Sequence, residues 1–394
     1  MLPLALALIC AADPAPADIA VSPADVALSR TQDRQRLLVS GRFGTGGDAD
    51  LTATAKFVSV RPEIAHVSAE GIVTPVADGA TEIVVTAGGK EVRVKVAVSG
   101  QKEPAPVSFR TDVMAALSRS SCNQGACHGS PQGKNGFHLS LRGENPEYDF
   151  GVLTREQGGR RVSALNPDES LILLKGAGRV PHQGGTQWPK SSAAYATVRQ
   201  WIAEGAKDSA ANKLAKLEVL PGDLRLHTSS PKRQLAAVAH FADGTRRDVT
   251  NLAVFTTGDP ATATVTRDGL VTFARTGESA VLVRYLDAIT SVRLTYVKHD
   301  ADFRFSGPAP ANFIDDEIFA KQRELQLNPA PVASDAVFLR RVFLDLTGTL
   351  PTAEEARTFL DSKASDKRAK LVDSLLDRDE YTLFWAMKWA DVLR

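Results

Sequence analysis

Two kinds of hydrophobic periodicity divide the chain. Residues 91–98 read EVRVKVAV, with valines at alternate positions and charges between them, the pattern of a strand that buries one face. Residues 234–241 follow a similar course and run into Asp243-Gly244, a dipeptide suited to a hairpin turn. Past Pro308 and Pro310 the apolar spacing lengthens to that of helices. There Asn312 caps a run through Leu325, Ser334 with Asp335 caps VFLRRVFLDL, and Thr352 with Glu355 forms a capping box after Pro351. Ser365 opens KRAKLVDSLL, and a last run from Tyr381 stops in mid-pattern at Arg394, which predicts that residues 311–394 are the front part of a longer helical domain.

The strand-rich pattern occurs twice. Shifting the sequence against itself by 198 positions, as from Asp50 to Asp248, aligns Phe43, Gly46, Asp50, Thr52, Phe57, Pro62, Gly71 and Gly79 with Phe241, Gly244, Asp248, Thr250, Phe255, Pro260, Gly269 and Gly277. A self-match at one offset means one structural unit used twice. Seven or so short strands over about 80 residues read as a β-sandwich. Gly71 and Gly269 read as turn residues, Phe57 and Phe255 as core, and Asp50 and Asp248 as turn hydrogen-bonders rather than calcium ligands. Between the copies, residues 102–208 lose the alternation and gain Gly, Pro, His and helix signals. Residues 113–117 (VMAAL) predict a short helix, and 193–203 (AAYATVRQWIA) a longer one with Tyr195, Val198 and Ile202 on one face and Gly205 at its end.

Composition narrows the function classes. The chain has 394 residues, 43% hydrophobic and 24% charged, enough apolar material for several cores. Lys and Arg total 47 against 46 Asp and Glu, so no positive excess exists to neutralise a phosphate backbone, and nucleic acid is not expected as a partner. The apolar run of residues 1–12, MLPLALALICAA, falls short of the roughly 20 residues of a membrane span. It reads instead as a signal peptide cut ahead of Asp13, predicting a periplasmic, cell-surface or extracellular protein with no transmembrane span. Cleavage discards Cys10 and leaves Cys122 and Cys127 in an oxidising compartment, where they pair or are capped.

Candidate chemistry is confined to residues 121–129, SCNQGACHG. Two cysteines followed directly by His is the arrangement of covalent haem attachment: each sulfur bonds a vinyl group and the adjacent imidazole ligates the iron. Four residues separate Cys122 from Cys127 where two are usual, and Gly125 is placed to let the longer loop bulge. A second axial ligand would come from His182, in the Pro/Gly loop VPHQGG, in preference to His138; an open sixth position is the other case. Two other readings stand beside this one: a Cys122–Cys127 disulfide with His128 a bystander, and a zinc site from Cys122, Cys127, His128 and His182. No phosphate-binding loop, hydrolase elbow or zincin motif occurs, no nucleophile–base pair is visible in the helical segment, and no residue is singled out as catalytic. Arg160 and Arg161 read as solvated or ion-paired in preference to meeting haem propionates or a partner's acids, and Trp385 and Trp389 as core or interface packing.

The repeated DLT or DVT, the aromatic two strands in and the G-x-V-T of residues 18–100 and 215–298 resemble the bacterial immunoglobulin-like group 2 domain. That resemblance implies spacing, presentation or adhesion. The stretch CNQGACHGSPQGKNGFHLSLRG, with LTRE, GRR, the pattern of 167–175, PHQGG and YATVRQWIAEGA, resembles the cytochrome c-like domain of planctomycete surface proteins, which join it to such immunoglobulin-like domains and to a helical domain of unknown function. FLRRVFLDLTGTLPT, KRAKLVDSLL and WAMKWADVLR resemble the start of that helical domain. The resemblance implies haem c, with Cys122 and Cys127 as thioether residues, His128 as proximal ligand and His182 in the matching PH-x-GG motif. The fold expected is therefore multidomain and mixed: a signal peptide (1–12), an Ig-like β-sandwich (18–100), a small mainly α cytochrome c-like module (102–208), a second Ig-like β-sandwich (215–298) and an α-helical C-terminal segment (311–394). The function expected is an exported surface protein with a c-type haem module for electron transfer or redox sensing, meeting a redox partner or a cell-surface component. The alternative is a non-enzymatic structural or adhesive surface protein whose Cys122–Cys127 pair is a disulfide.

Overall fold

The computed structural model describes residues 15–393 apart from 44–46, 104, 209–211, 227–229, 299 and 301. The leader 1–12 with Cys10, and Gly46 of the repeat, lie outside the described residues. The chain divides into two compact units, Met1–Phe303 and Arg304–Arg394.

In the first unit the alternating segments form the strands their pattern requires. Lys90–Val98 pairs antiparallel with Gly79–Ala87 and parallel with Asp25–Leu28, burying Val94, Val96 and Val98 while Arg93 and Lys95 face out. Gly79–Ala87 also pairs with Lys56–Ser59. Two small sheets complete the copy: Asp18–Ser22, Leu38–Arg42 and Asp48–Asp50 in one, Gln35–Arg36, Ile72–Pro75 and Ala65–Val67 in the other. The second copy repeats this strand order from Leu214–Leu220 to Ala288–Tyr296. Each copy thus holds ten short strands in three sheets rather than about seven strands in two.

Side chains take over the backbone hydrogen bonds where one ladder of each copy ends. In the first copy Thr52 Oγ1 accepts from Val39 N (2.9 Å) and Asp50 Oδ1 from Thr52 N (2.9 Å). In the second, Thr250 Oγ1 accepts from Ala237 N (2.9 Å) and Asp248 Oδ1 from Thr250 N (2.8 Å). The repeated Asp-x-Thr therefore does the turn work read from it.

The same aspartates reach across to the other copy. Asp50 Oδ2 accepts from Gln234 N (2.5 Å), and Asp248 Oδ2 accepts from Arg36 N (2.6 Å). Arg36 and Gln234 are themselves equivalent at the offset of 198, so the contact is reciprocal, as in a two-fold dimer interface. A single parallel bridge, Leu226 with Asp48, further joins the copies into one seven-stranded sheet.

The segment between the copies is helical: a π turn Phe109–Val113 running into Met114–Arg119, then Pro146–Thr154, Leu171–Gly176 and Ala193–Ala203. Its buried residues, among them Phe109, Met114, Leu117, Trp188, Trp201 and Ile202, form one continuous core with the second copy; each such side chain contributes about 1.5–3 kcal/mol on burial. Tyr195, Val198 and Ile202 all point inward as their spacing predicts, and Trp201 joins them. The first copy keeps a separate core around Val26, Leu37, Val73, Ile83 and Val96. Asp112, 2% exposed, ties the three parts together: it accepts from Arg30 of the first copy (3.0 Å) and from Arg247 of the second (2.5 Å). Tyr285 Oη of the second copy donates to Thr111 O (2.9 Å).

The second unit carries the helices Phe313–Glu324, Asp335–Thr347, Ala353–Asp361, Lys367–Leu376 and Asp379–Val392. Asn312, Ser334 and Thr352 cap as their sequence signals require, with the Thr352–Glu355 capping box formed in both directions. Leu339, Phe343, Phe359 and Leu375 make its core. On the last helix Trp385 is half-buried and Phe384 packs against Gly348, while Trp389 is 60% exposed. Among the described residues no helix is long and apolar enough to cross a membrane.

Candidate functional site

The helix Met114–Arg119 ends where Ser121 takes a left-handed backbone (φ 62°). Cys122 N then donates back to Leu117 O (3.0 Å), and the next six residues close on themselves: Cys127 N bonds Gln124 O (2.9 Å) and His128 N bonds Cys122 O (2.9 Å). The four-residue spacing is thus taken up by a hydrogen-bonded loop. Gly125, expected to permit it, has no left-handed backbone and only open space around it. The glycine the loop needs is Gly129, where a Cβ would lie 2.1 Å from Asn123 O.

Cys122, Cys127, His128 and His182 line one cavity of about 650 Å³, with Phe137, Leu171, Ile172 and Trp188 as apolar walls. That volume lies in the range of roughly 300–1,000 Å³ usual for small-molecule and cofactor sites. Four cations, Lys134, Arg160, Arg161 and Lys175, also line it, and no Asp or Glu does. His138 is elsewhere, its Nδ1 2.9 Å from Tyr148 Oη, and Met114 is buried in the core at 1% exposure. Residues 137–141 form no strand; beside the Lys134–Phe137 bridge, Leu139 N donates to His128 O (2.8 Å).

The two cavity histidines are held alike. His128 Nδ1 is 2.9 Å from Phe137 O, and His182 Nδ1 is 3.0 Å from Gly185 O. A carbonyl only accepts, so each Nδ1 carries the hydrogen and each Nε2 keeps its lone pair. This is how metal-ligating histidines are oriented, and among the described residues no group bonds either Nε2. The rings are parallel to within 1° with centroids 6.4 Å apart. The loop carrying His182 is braced by Lys175 Nζ donating to Pro181 O (2.6 Å) and Gln187 Nε2 to Gly184 O (2.6 Å). A Cβ on Gly184 would meet the His182 ring at 2.8 Å, so the glycine makes room for it.

Burial, helped by the charges of Arg161 and Lys134, outweighs the Phe137 hydrogen bond and lowers the His128 pKa, which favours the neutral ring with its lone pair free. Burial, and after it Cys127, pushes the Cys122 thiol up to about 12, so this sulfur is a thiol at neutral pH rather than an activated nucleophile. Both cysteines are free in this structure, and the Cys122–Cys127 loop is closed by backbone hydrogen bonds. Among the described residues no group of three or more His, Cys, Asp or Glu converges as a bare ion would need, and the zinc arrangement is not formed.

Arg161 pairs with Glu156 (3.4 Å), as one reading of it expects, but the sequence does not show its burial: it is 5% exposed, donating to Val152 O (2.6 Å) and Gly136 O (2.9 Å). Nothing in an Arg-Arg pair distinguishes it from exposed Arg160; only the carbonyls that the fold presents to it do.

Comparison with known proteins finds two family models. Residues 53–100 match the bacterial Ig-like domain, and residues 313–394 match PSCyt2, a protein of unknown function (DUF1549). No curated protein matches. Among solved structures, domains 5–6 of the S-layer protein SbsC share 14% identity, covering 72% of this chain and 99% of that one, with a TM-score of 0.29. SbsC domains 4–9 share 13%, covering 72% and 32%, also with a TM-score of 0.29. Superpositions this loose carry no functional argument. The chain contains a bacterial Ig-like domain and a DUF1549 region.

Proposed function

We propose that this is an exported surface protein in which paired β repeats display a haem-holding module for one-electron exchange. The observation that carries the reading is the pair of parallel imidazoles 6.4 Å apart, each with Nδ1 fixed on a carbonyl. Cys122 and Cys127 would hold haem c by thioether bonds, His128 would be the proximal ligand and His182 the distal one. Haem bound there supplies an iron that cycles between two oxidation states. The protein's own share is to fix both rings through Phe137 O and Gly185 O, to wall the cavity with Phe137, Ile172 and Trp188, and to face the ligand's carboxylates with Lys134 and Arg160. The Ig-like domain supports the surface setting and the spacer role of the β repeats.

A second reading, a purely structural or adhesive surface protein, is favoured by the same Ig-like match and makes the cavity incidental. Intact-mass measurement of the full chain, produced together with haem-attachment machinery, separates the two. The haem reading predicts the gain of one haem, abolished in Cys122→Ser/Cys127→Ser; a chain recovered at its bare mass supports the structural reading.

A further inference from the structure

We propose that Arg161 is the positioning residue for His128 and the cation that sets the reduction potential of the site; this rests on the haem reading above. Its guanidinium grips the support of His128 from outside. One nitrogen holds Gly136 O (2.9 Å), another holds Val152 O (2.6 Å), and the group lies 4.8 Å over the Phe137 ring. Gly136 and Phe137 belong to a tight turn, with Asn135 and Gly136 both left-handed and Lys134 and Phe137 exchanging backbone hydrogen bonds (3.0 Å each). The carbonyl of Phe137 receives the His128 Nδ1 hydrogen, and its ring lies 4.4 Å from the imidazole. Arg161 therefore fixes the turn that fixes the ligand, as outer partners of metal-bound histidines do.

Its charge adds a second effect. Among the described residues the sole acid paired with it is Glu156, 3.4 Å away and with its side chain 47% exposed. Solvent screens that carboxylate far more than it screens a guanidinium at 6% side-chain exposure, so a net positive field reaches the cavity. A buried cation favours the less positive state of a bound iron and raises its potential. Exposed Arg160 and Lys134 on the same cavity are screened and add less.

The test is a redox titration of the haem-loaded full chain with Arg161→Gln and Arg161→Lys, together with nitrogen NMR of His128 in the haem-free protein. Arg161→Gln is expected to lower the midpoint potential and to mix the His128 tautomers that the wild type keeps as Nδ1–H. Arg161→Lys keeps the charge and loses the fork, so its potential moves less while its tautomers still mix. A haem-loaded Arg161→Gln with unchanged potential and a single tautomer overturns this inference alone. A wild type without haem overturns the functional reading, and with it the potential, while the NMR arm still decides the positioning role.

Discussion

The two β repeats use the same residues for the same bonds and different residues for different neighbours. Asp50 and Asp248, Thr52 and Thr250, Phe57 and Phe255, and Gly71 and Gly269 are identical at the repeat offset, and each pair makes the same local contacts in its own copy. Where the copies differ, the second has gained reach. Arg247 stands where the first copy has Ala49, and Tyr285 where it has Ala87; these two grip Asp112 and Thr111 of the helical segment. Arg233 stands where the first copy has Gln35; it is fully buried and donates to Ser40 Oγ of the other copy. Shared residues thus maintain the fold and the reciprocal clamp, and the divergent ones tie the second copy to its neighbours.

The sharpest way to break that asymmetry is at Asp112. Burial pushes its carboxyl up, but Arg247 and Arg30 outweigh it and hold the group below the usual carboxylate range. Asp112→Asn leaves Arg30 and Arg247 sharing the single carboxylate of Asp33, 3.8 Å from each, and chemical denaturation should register a loss towards the lower end of about 3–5 kcal/mol. A carboxyl lowered in the fold contributes its stability above its unfolded pKa of about 3.9 and loses it as the pH falls through the folded value. The cost of Asp112→Asn should therefore shrink in acid.

Asp248 sharpens the contrast from within the clamp. Burial dominates there and raises its carboxyl despite bonds from Thr250 and Arg36. Asp248→Asn, which leaves a backbone donor short of its acceptor, should cost about 1–3 kcal/mol. Its pH dependence has the opposite sign: the charged form is penalised in the fold at neutral pH, so the cost of the substitution grows as the pH falls through the raised value. Parallel slopes for the two variants would contradict the account of the junction.

A smaller and symmetrical effect is expected at Gly71 and Gly269, left-handed at φ 74° and 80° and each packed against its own phenylalanine. Alanine at either should lower the melting temperature by a similar amount, corresponding to at least about 1 kcal/mol. Unequal losses would show that the copies have diverged in their local packing as well as in their contacts.

What the sequence makes legible follows from how far each interaction reaches. The strand 90–98, the caps at Asn312, Ser334 and Thr352, and the Asp-x-Thr turns depend on residues a few positions apart, and spacing displays them. The same aspartates' second oxygens bond Gln234 and Arg36 in the other copy, which no local pattern encodes. At the cavity, Cys122, Cys127 and His128 stand out because they are adjacent in the chain, and His182 because of its Pro/Gly loop. Arg161 and Gly129 do not, since their importance comes from carbonyls at Gly136 and Asn123 that only the folded chain brings to them.

The central claim is that His128 and His182 grip one ligand between them. Electron paramagnetic resonance of the oxidised, haem-loaded full chain tests it most directly, with His182→Ala and His138→Ala beside the wild type. The account predicts a low-spin signal in the wild type and in His138→Ala that turns high-spin in His182→Ala. A wild type already high-spin, or a His182→Ala spectrum unchanged from it, would contradict the claim.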